Sequence, residues 1–195
     1  MNYFSPRNLL LALTLIFIPQ CGYNALQSLD EDVKAGWSEV ENQYQRRYDL
    51  IPNLVNTVKG YAKHEKETLE GVISARAKAT STEIKVNNLS DAGNFKKFQA
   101  AQDSLSGALS KLMVVVEKYP DLKANESFRD LQSQLEGTEN RIAVARNRYI
   151  QTVAEFNKMV RSFPTNLTAQ HLLHLQIRET FSVAEKVKET PKVEF

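Results

Sequence analysis

The side chains best suited to direct chemistry in this 195-residue chain are two histidines near its C-terminal end. His171 and His174 are three residues apart in the sequence HLLH, so on a helix both imidazoles would face the same side. A zinc ion needs three or four ligands, and a third would have to come from elsewhere, such as Glu179 or His64. A metal-dependent hydrolase using this pair is the enzymatic alternative, and ordinary surface or core histidines are the simpler interpretation.

The other familiar catalytic patterns are missing from the sequence. It contains no glycine-rich phosphate loop, no nucleophile elbow and no Cys–His pair. A single cysteine excludes an internal disulfide and the usual thiol-based zinc sites. The 25 Lys and Arg residues nearly balance the 23 Asp and Glu residues and are interspersed with them, which disfavours a nucleic-acid binder. The composition therefore predicts a protein that is not an enzyme, with no cofactor and no nucleic-acid partner.

Five charged residues near the apolar stripes are more informative. Arg47, Glu65 and Arg76 lie on or beside the apolar line of the first long helical stretch, and Glu139 and Arg146 share one face of a later helix, two turns apart. One interpretation is a set of interhelical ion pairs that fix helix register, the best-attested use of buried charges in helical bundles. The other is a polar binding layer along the bundle.

A proline inside the first helical stretch marks a third candidate site. Pro52 has no N–H group, so the helix would leave the Tyr48 carbonyl without its usual donor. We expect a kink there, or two shorter helices with Asp49 as the cap between them. The polar side chains beside the proline, including Asp49 and Asn53, are a candidate local contact site.

The elements that carry these residues are predicted from apolar periodicity. In residues 33–79, apolar or aromatic side chains recur every three or four positions, with one gap around Glu65. About 47 residues in one helix would make a rod of roughly 70 Å, which other helices must cover.

Two further long helices follow a polar loop at residues 80–93. One carries an apolar stripe from Phe95 to Tyr119 and stops at Pro120, and the other begins after Asn125 as N-cap and ends at residues 163–164. The predicted fold class is all-α, an antiparallel bundle of three long helices plus a short C-terminal helix within residues 165–185.

The N-terminal segment has the layout of a signal or membrane anchor. Arg7 precedes an apolar run at residues 9–18, and Cys21 stands where a bacterial lipoprotein carries its lipidated residue. A lipoprotein, an uncleaved anchor and a soluble secreted product are all open. Each places the bundle outside the cytoplasm, since Arg7 favours an N-terminus held inside. We expect residues 1–21 to form the signal or anchor and residues 22–195 to form the folded domain.

The chain resembles the LemA family of bacterial membrane-anchored helical proteins. Seven matching pieces appear in order: CGYN (21–24), QRRYDLIPNLV (45–55), VKGYAKHE (58–65), ARA (75–77), YPDLKA (119–124), ENRIAVAR (139–146) and FP (163–164). The resemblance implies an anchored bundle of long antiparallel helices, with its soluble part in the periplasm or at the cell surface. It implies no enzymatic activity.

The leading functional hypothesis is a non-enzymatic, membrane-anchored scaffold or accessory protein of the bacterial envelope. Its expected partners are the membrane, through the N-terminal segment, and an unidentified envelope protein. A structural protein that self-assembles into homo-oligomers is the main alternative.

Overall fold

A computed structural model describes residues 22–82, 84 and 88–182, and this part of the chain is all-α with no strand. Its helices are α1 (Tyr23–Tyr61), α2 (Lys66–Ser81), α3 (Ala92–Val116), α4 (Pro120–Ala124), α5 (Glu126–Arg161) and α6 (Thr165–Leu167). A π-helical turn, Thr168–Leu172, follows α6. The all-α prediction is confirmed. The predicted signal segment, residues 1–20, and Cys21 lie outside the described residues.

The prediction of one helix over residues 33–79 is wrong, because the chain reverses between Tyr61 and Lys66. Ala62 leaves helical geometry at φ −116° and ψ 58°, although its N–H still reaches the Val58 carbonyl at 2.8 Å. The Glu65 N–H then bonds the Ala62 carbonyl at 3.1 Å and closes the turn. The gap in the apolar stripe falls here, so continuing the helix would bury nothing, whereas reversing it lets α2 pack on α1 and α3.

Pro52 does not break α1, so Asp49 is a mid-helix residue and not a cap. Asp49 is exposed and accepts a hydrogen bond from the Gln45 amide at 2.8 Å, one turn earlier on the same helix. The alternative of two shorter helices that meet at Asp49 is therefore wrong, and Pro52 lies within one helix of 39 residues.

The four longer helices alternate in direction, which makes a four-helix antiparallel bundle in place of the predicted three. Asn125, at the start of α5, donates to the Tyr61 hydroxyl at the end of α1, and Trp37, near the start of α1, donates to the Ile84 carbonyl beyond the end of α2. The α1–α5 and α2–α3 pairs pack most extensively. The extra helix is α2, which the sequence pattern assigned to the first rod.

Local capping signals in the sequence are realised where α3 and α5 begin. The Asn125 side chain accepts from the Phe128 N–H at 3.0 Å, as predicted, and Asp91 accepts in the same way from Asn94 at the start of α3. Each cap satisfies one of the N–H groups that a helix start leaves without a partner. Pro120 both follows the stop of α3 and begins the short α4, where its missing N–H costs nothing.

One tryptophan lies at the centre of an aromatic cluster in the core. Trp37 and Phe156 are both fully buried, as the apolar stripes predict. The Trp37 ring lies 5.3–6.1 Å, centroid to centroid, from four other aromatic rings, which are those of Phe95, Phe98, Tyr149 and Phe181. These rings come from α1, α3, α5 and the C-terminal tail, so one cluster holds four parts of the chain together.

The predicted short C-terminal helix is only the three residues of α6 and the π-helical turn. Beyond them the tail, residues 173–182, runs without regular structure back over the bundle. The Glu179 N–H donates to the Leu89 carbonyl at 2.8 Å, and the Tyr149 hydroxyl donates to the Glu179 carbonyl at 3.0 Å. The backbone of the tail is thus bonded to the backbone of the α2–α3 connection and to the Tyr149 side chain of α5.

Candidate functional site

Arg47 is a charged side chain sealed inside the bundle. It is 1% exposed, and its Nε lies 3.0 Å from Oε1 of Glu139 on α5, out of line for a hydrogen bond. Its Nη2 donates to the Ser106 hydroxyl of α3 at 2.8 Å. The Glu139 side chain is 45% exposed, so the pair spans from the core to the surface. A buried guanidinium needs such partners, because an unpaired charge in the core is costly.

The Arg47–Glu139 pair lies at one end of a groove between α3 and α5. The groove has a volume of about 270 Å³ and combines apolar and polar side chains from both helices: Ser106, Leu109, Ser110, Met113, Gln132, Leu135, Glu136 and Glu139. Apolar walls with a few polar groups at the rim suit an amphipathic segment of another protein. We call this the α3–α5 groove.

Arg76 supplies the hydrogen bond that Pro52 removes. The Arg76 Nε donates to the Tyr48 carbonyl at 2.9 Å, and this is the carbonyl that a residue with an N–H at position 52 would engage. The Tyr48 hydroxyl in turn donates to the Ala79 carbonyl at 3.5 Å and accepts from the Gln102 side-chain amide. Arg76 and Tyr48 therefore join α1 to α2 at the proline, and the proline is accommodated in a helix that continues past it.

Glu65 and Arg146 also contact other elements, though neither forms an ion pair with the other predicted charges. Glu65 lies in the α1–α2 turn and accepts from the Tyr119 hydroxyl at 3.1 Å. Burial, and then this hydrogen bond, raise the pKa of Tyr119. The Arg146 guanidinium lies 4.2 Å from the centre of the Phe181 ring, a cation–π contact with the tail. Of the five charges, the structure pairs only Arg47 with Glu139.

The polar network that the sequence analysis missed joins α1 to the tail. Arg178 Nη2 lies 2.8 Å from Asp30 Oδ1, Lys34 Nζ lies 2.9 Å from Oδ2, and Arg178 Nη1 donates to Ser90 at 3.0 Å. The Asn157 side chain bonds both the N–H and the carbonyl of Arg178. Asp30 interrupts the apolar stripe of α1 two turns before Trp37, and that interruption is the signal that could have found it.

Electrostatics hold the Asp30 carboxylate ionised. Burial raises the pKa of Asp30, but the hydrogen bonds and charges of Arg178 and Lys34 outweigh it, so the pKa lies below the ordinary 3.8. Nearer the middle of the bundle, burial raises the pKa of Tyr44 to about 12, so this phenol stays protonated. These shifts follow from packing and from partners within the bundle.

The histidine pair does not form the helical motif that its spacing would allow. His171 lies in the π-helical turn, whereas His174 lies beyond it with φ 50°, and both side chains are exposed. Within residues 22–82, 84 and 88–182, no three His, Cys, Asp or Glu side chains are grouped to hold a metal ion. In the same ranges, no helix is long and apolar enough to cross a bilayer.

The amino-acid sequence of the chain is similar to those of several known proteins. A family model described as LemA family matches residues 36–195. The chain is 27% identical over 163 residues to magnetosome protein MamQ 1 of Paramagnetospirillum magneticum, covering 75% of this chain and 60% of the relative. It is 28% identical, with the same coverage, to MamQ of Magnetospirillum gryphiswaldense. It is 25% identical over 149 residues to protein LemA of Metamycoplasma hominis, covering 76% of this chain and 64% of the relative. The chain thus spans less than two thirds of each of these relatives.

Proposed function

Because the chain belongs to the LemA family, we propose that it is a non-enzymatic scaffold of the bacterial envelope. The N-terminal segment, with its apolar run at residues 9–18, tethers the bundle to the membrane. The bundle stands outside the cytoplasm and binds an envelope protein through the α3–α5 groove.

The observation that carries the proposal is how the bundle uses its charged side chains. Arg47, Arg76, Arg146 and Glu65 each contact a different element of the fold, so their chemistry serves to hold helices in register. This supports a rigid rod whose function lies in its surface. The relatives called magnetosome proteins are named for a structure and not for a reaction, which agrees with such a role.

The α3–α5 groove is the surface best suited to a protein partner. Leu109, Met113 and Leu135 supply apolar contact, and the rim carries the Glu136 carboxylate beside Glu139, whose half-exposed carboxylate is already paired with Arg47. An amphipathic helix with basic residues beside its apolar face matches this chemistry. The acidic rim would steer such a partner and fix its orientation.

Two serines on α3 provide a matched test. Ser110 lines the groove, whereas Ser104 is also exposed on α3 but lies on another face, six residues away. Full-length protein with Ser110→Trp should lose its partner in cross-linking and pull-down from solubilised membranes, because the indole fills the groove. Ser104→Trp should retain the partner, and both variants should keep the wild-type thermal midpoint.

Two results would contradict the proposal. The groove is not the site if both variants keep the same cross-linked partner. The scaffold role itself fails if wild-type protein recovers no more than a protein carrying the N-terminal segment alone.

A further inference from the structure

One end of the bundle differs in composition from the rest of the surface. Nine large apolar residues are exposed among the described residues, and four of them lie at the end where α1 begins and α6 and the π-helical turn close the bundle. We call these four the end patch: Tyr23, Phe163, Leu167 and Leu172. Phe163 is the most exposed of the nine, at 80%. Exposed aromatic and aliphatic side chains grouped in this way mark an interaction surface.

The end patch is assembled around the first residue of the described fold. Gly22 has φ 90°, and a Cβ built on it would lie 2.4 Å from Cγ2 of Thr165, so α1 begins directly against α6. Phe163 and Leu167 flank Thr165 in the sequence. The chain that enters at Gly22 comes from the apolar run at residues 9–18, only a few residues away. A bilayer that holds this run would therefore lie beside the end patch.

The charge at this end matches a phospholipid surface. Residues 22–29 and 156–177 contain no Asp or Glu, and the acidic residues next to these ranges, Glu155 and 30–32, begin about 10 Å along α5 and α1 from this end. The same ranges contain Lys158 and Arg161, both exposed in the last turn of α5. The opposite end mixes both signs, with Glu65, Lys66 and Glu67 in the α1–α2 region. Apolar and aromatic side chains flanked by cations are the composition of a membrane-interface contact.

We propose that the end patch is a second membrane contact, in which Phe163, Leu167 and Leu172 enter an anionic bilayer surface beside the N-terminal anchor. The contact fixes the direction of the bundle, since α1 then rises from the surface and its other end stands about 60 Å away. This inference rests on the membrane tether proposed above. It adds that the folded domain itself touches lipid, at one end only.

Tryptophan quenching by brominated lipids tests the contact in the full chain. The single native tryptophan, Trp37, is fully buried and about 20 Å along α1 from Gly22, so its emission gives a constant background. Phe163→Trp places a probe in the end patch, and Leu172→Trp provides a second probe there. Val114→Trp, on α3 at a side chain that is 69% exposed, is the matched control away from the patch.

Each variant is bound to vesicles of brominated phosphatidylcholine and phosphatidylglycerol and compared with the same vesicles without bromine. We expect the added emission of Phe163→Trp and Leu172→Trp to be largely quenched, because interfacial side chains enter about 5–10 Å into the headgroup–acyl boundary. The emission of Val114→Trp should be unchanged.

The other outcomes separate the two proposals. Protein that floats with the vesicles while neither patch probe is quenched keeps its tether, and the end patch contact is overturned. Equal quenching at Val114→Trp and Phe163→Trp means that the bundle lies flat, which also overturns it. A blue shift at Phe163→Trp without quenching assigns the patch to a second copy of the chain instead. Protein that does not float at all contradicts both the tether and the contact.

Discussion

The hydrogen bond from Arg76 to the Tyr48 carbonyl should depend on Pro52, and a double-mutant cycle can measure that dependence. Arg76→Met keeps the length of the side chain but removes the donor that lies 2.9 Å from this carbonyl. Pro52→Ala restores an N–H group one turn after Tyr48, so the helix can satisfy the carbonyl itself. We expect Arg76→Met to be clearly destabilising alone and much less so in the Pro52→Ala background.

The structure sets the size of the effect. A hydrogen bond from a charged donor contributes about 1.5–3 kcal/mol, and Arg76 is only half-buried, so the lower end of that range applies. For a chain of this length, about 1.5 kcal/mol lowers the thermal midpoint by roughly 3–6 °C. Because the two changes share one carbonyl, the coupling energy should be about 1 kcal/mol, above the roughly 0.5 kcal/mol seen for independent sites.

Thermal and urea unfolding of the four proteins, followed by circular dichroism, supply the measurement. Lys78→Met is the control, since Lys78 is exposed on the same helix two residues away. It should change the midpoint little in either background. If Arg76→Met costs the same free energy with and without Pro52, then Arg76 does not replace the missing helical donor, and its role is packing alone.

Three further expectations concern the ends and the middle of the bundle. Glu139→Gln should lower the free energy of unfolding by about 1–2 kcal/mol, less than the loss of a fully buried ion pair, because water reaches Glu139 although Arg47 is buried. In urea unfolding, adding Arg47→Met should recover part of this loss, and a double variant less stable than Glu139→Gln alone would exclude the pair. Gly22→Ala should lower the free energy of unfolding by about 1–3 kcal/mol, because the backbone at position 22 is left-handed and the added Cβ would clash with Thr165. Adding Thr165→Ser removes the clashing methyl group, and no recovery in the thermal midpoint would mean that the strain lies in the backbone alone. The pKa of Asp30 is lowered in the folded protein, so its ionised carboxylate contributes fully to stability above the ordinary pKa of 3.8, and this contribution is lost as the pH falls through the lower, folded pKa. The stability difference between wild type and Asp30→Asn should therefore shrink below pH about 4. A constant difference across the acid range would contradict the network.

Much of the helical architecture is local and could be predicted from the sequence. The stripes of α3 and α5, the Asn125 cap and the place of Trp37 in the stripe of α1 all depend on residues within a few turns of one another. The rings that pack on Trp37, by contrast, come from α3, α5 and the tail. The spacing of apolar residues and the capping residue are properties of a single helix, so both can be recognised from the sequence without knowing which helix packs against it. The same holds for the carbonyl that Pro52 leaves open, which the helix repeat identifies as that of Tyr48.

The reversal after Tyr61 depended on the rest of the fold. The sequence shows a gap in the apolar stripe around Glu65, but a gap fits both a continuous rod and a turn. Folding back lets Leu69, Val72 and Ala79 bury their side chains with α1 and α3, and that gain exists only when those helices are in place. The count of long helices was therefore a tertiary outcome.

Among the candidate site residues, the sequence identified the charges, and the tertiary structure chose their partners. Arg47, Arg76 and Arg146 have similar positions beside apolar stripes, yet one meets a carboxylate, one a backbone carbonyl and one an aromatic ring. Asp30 and Arg178 are separated by 148 positions and became partners because the tail crosses the start of α1. The type of a side chain determines which groups it can bind. Which of those groups lies within contact distance is determined by how whole helices and the tail pack, because long-range contacts follow from that packing.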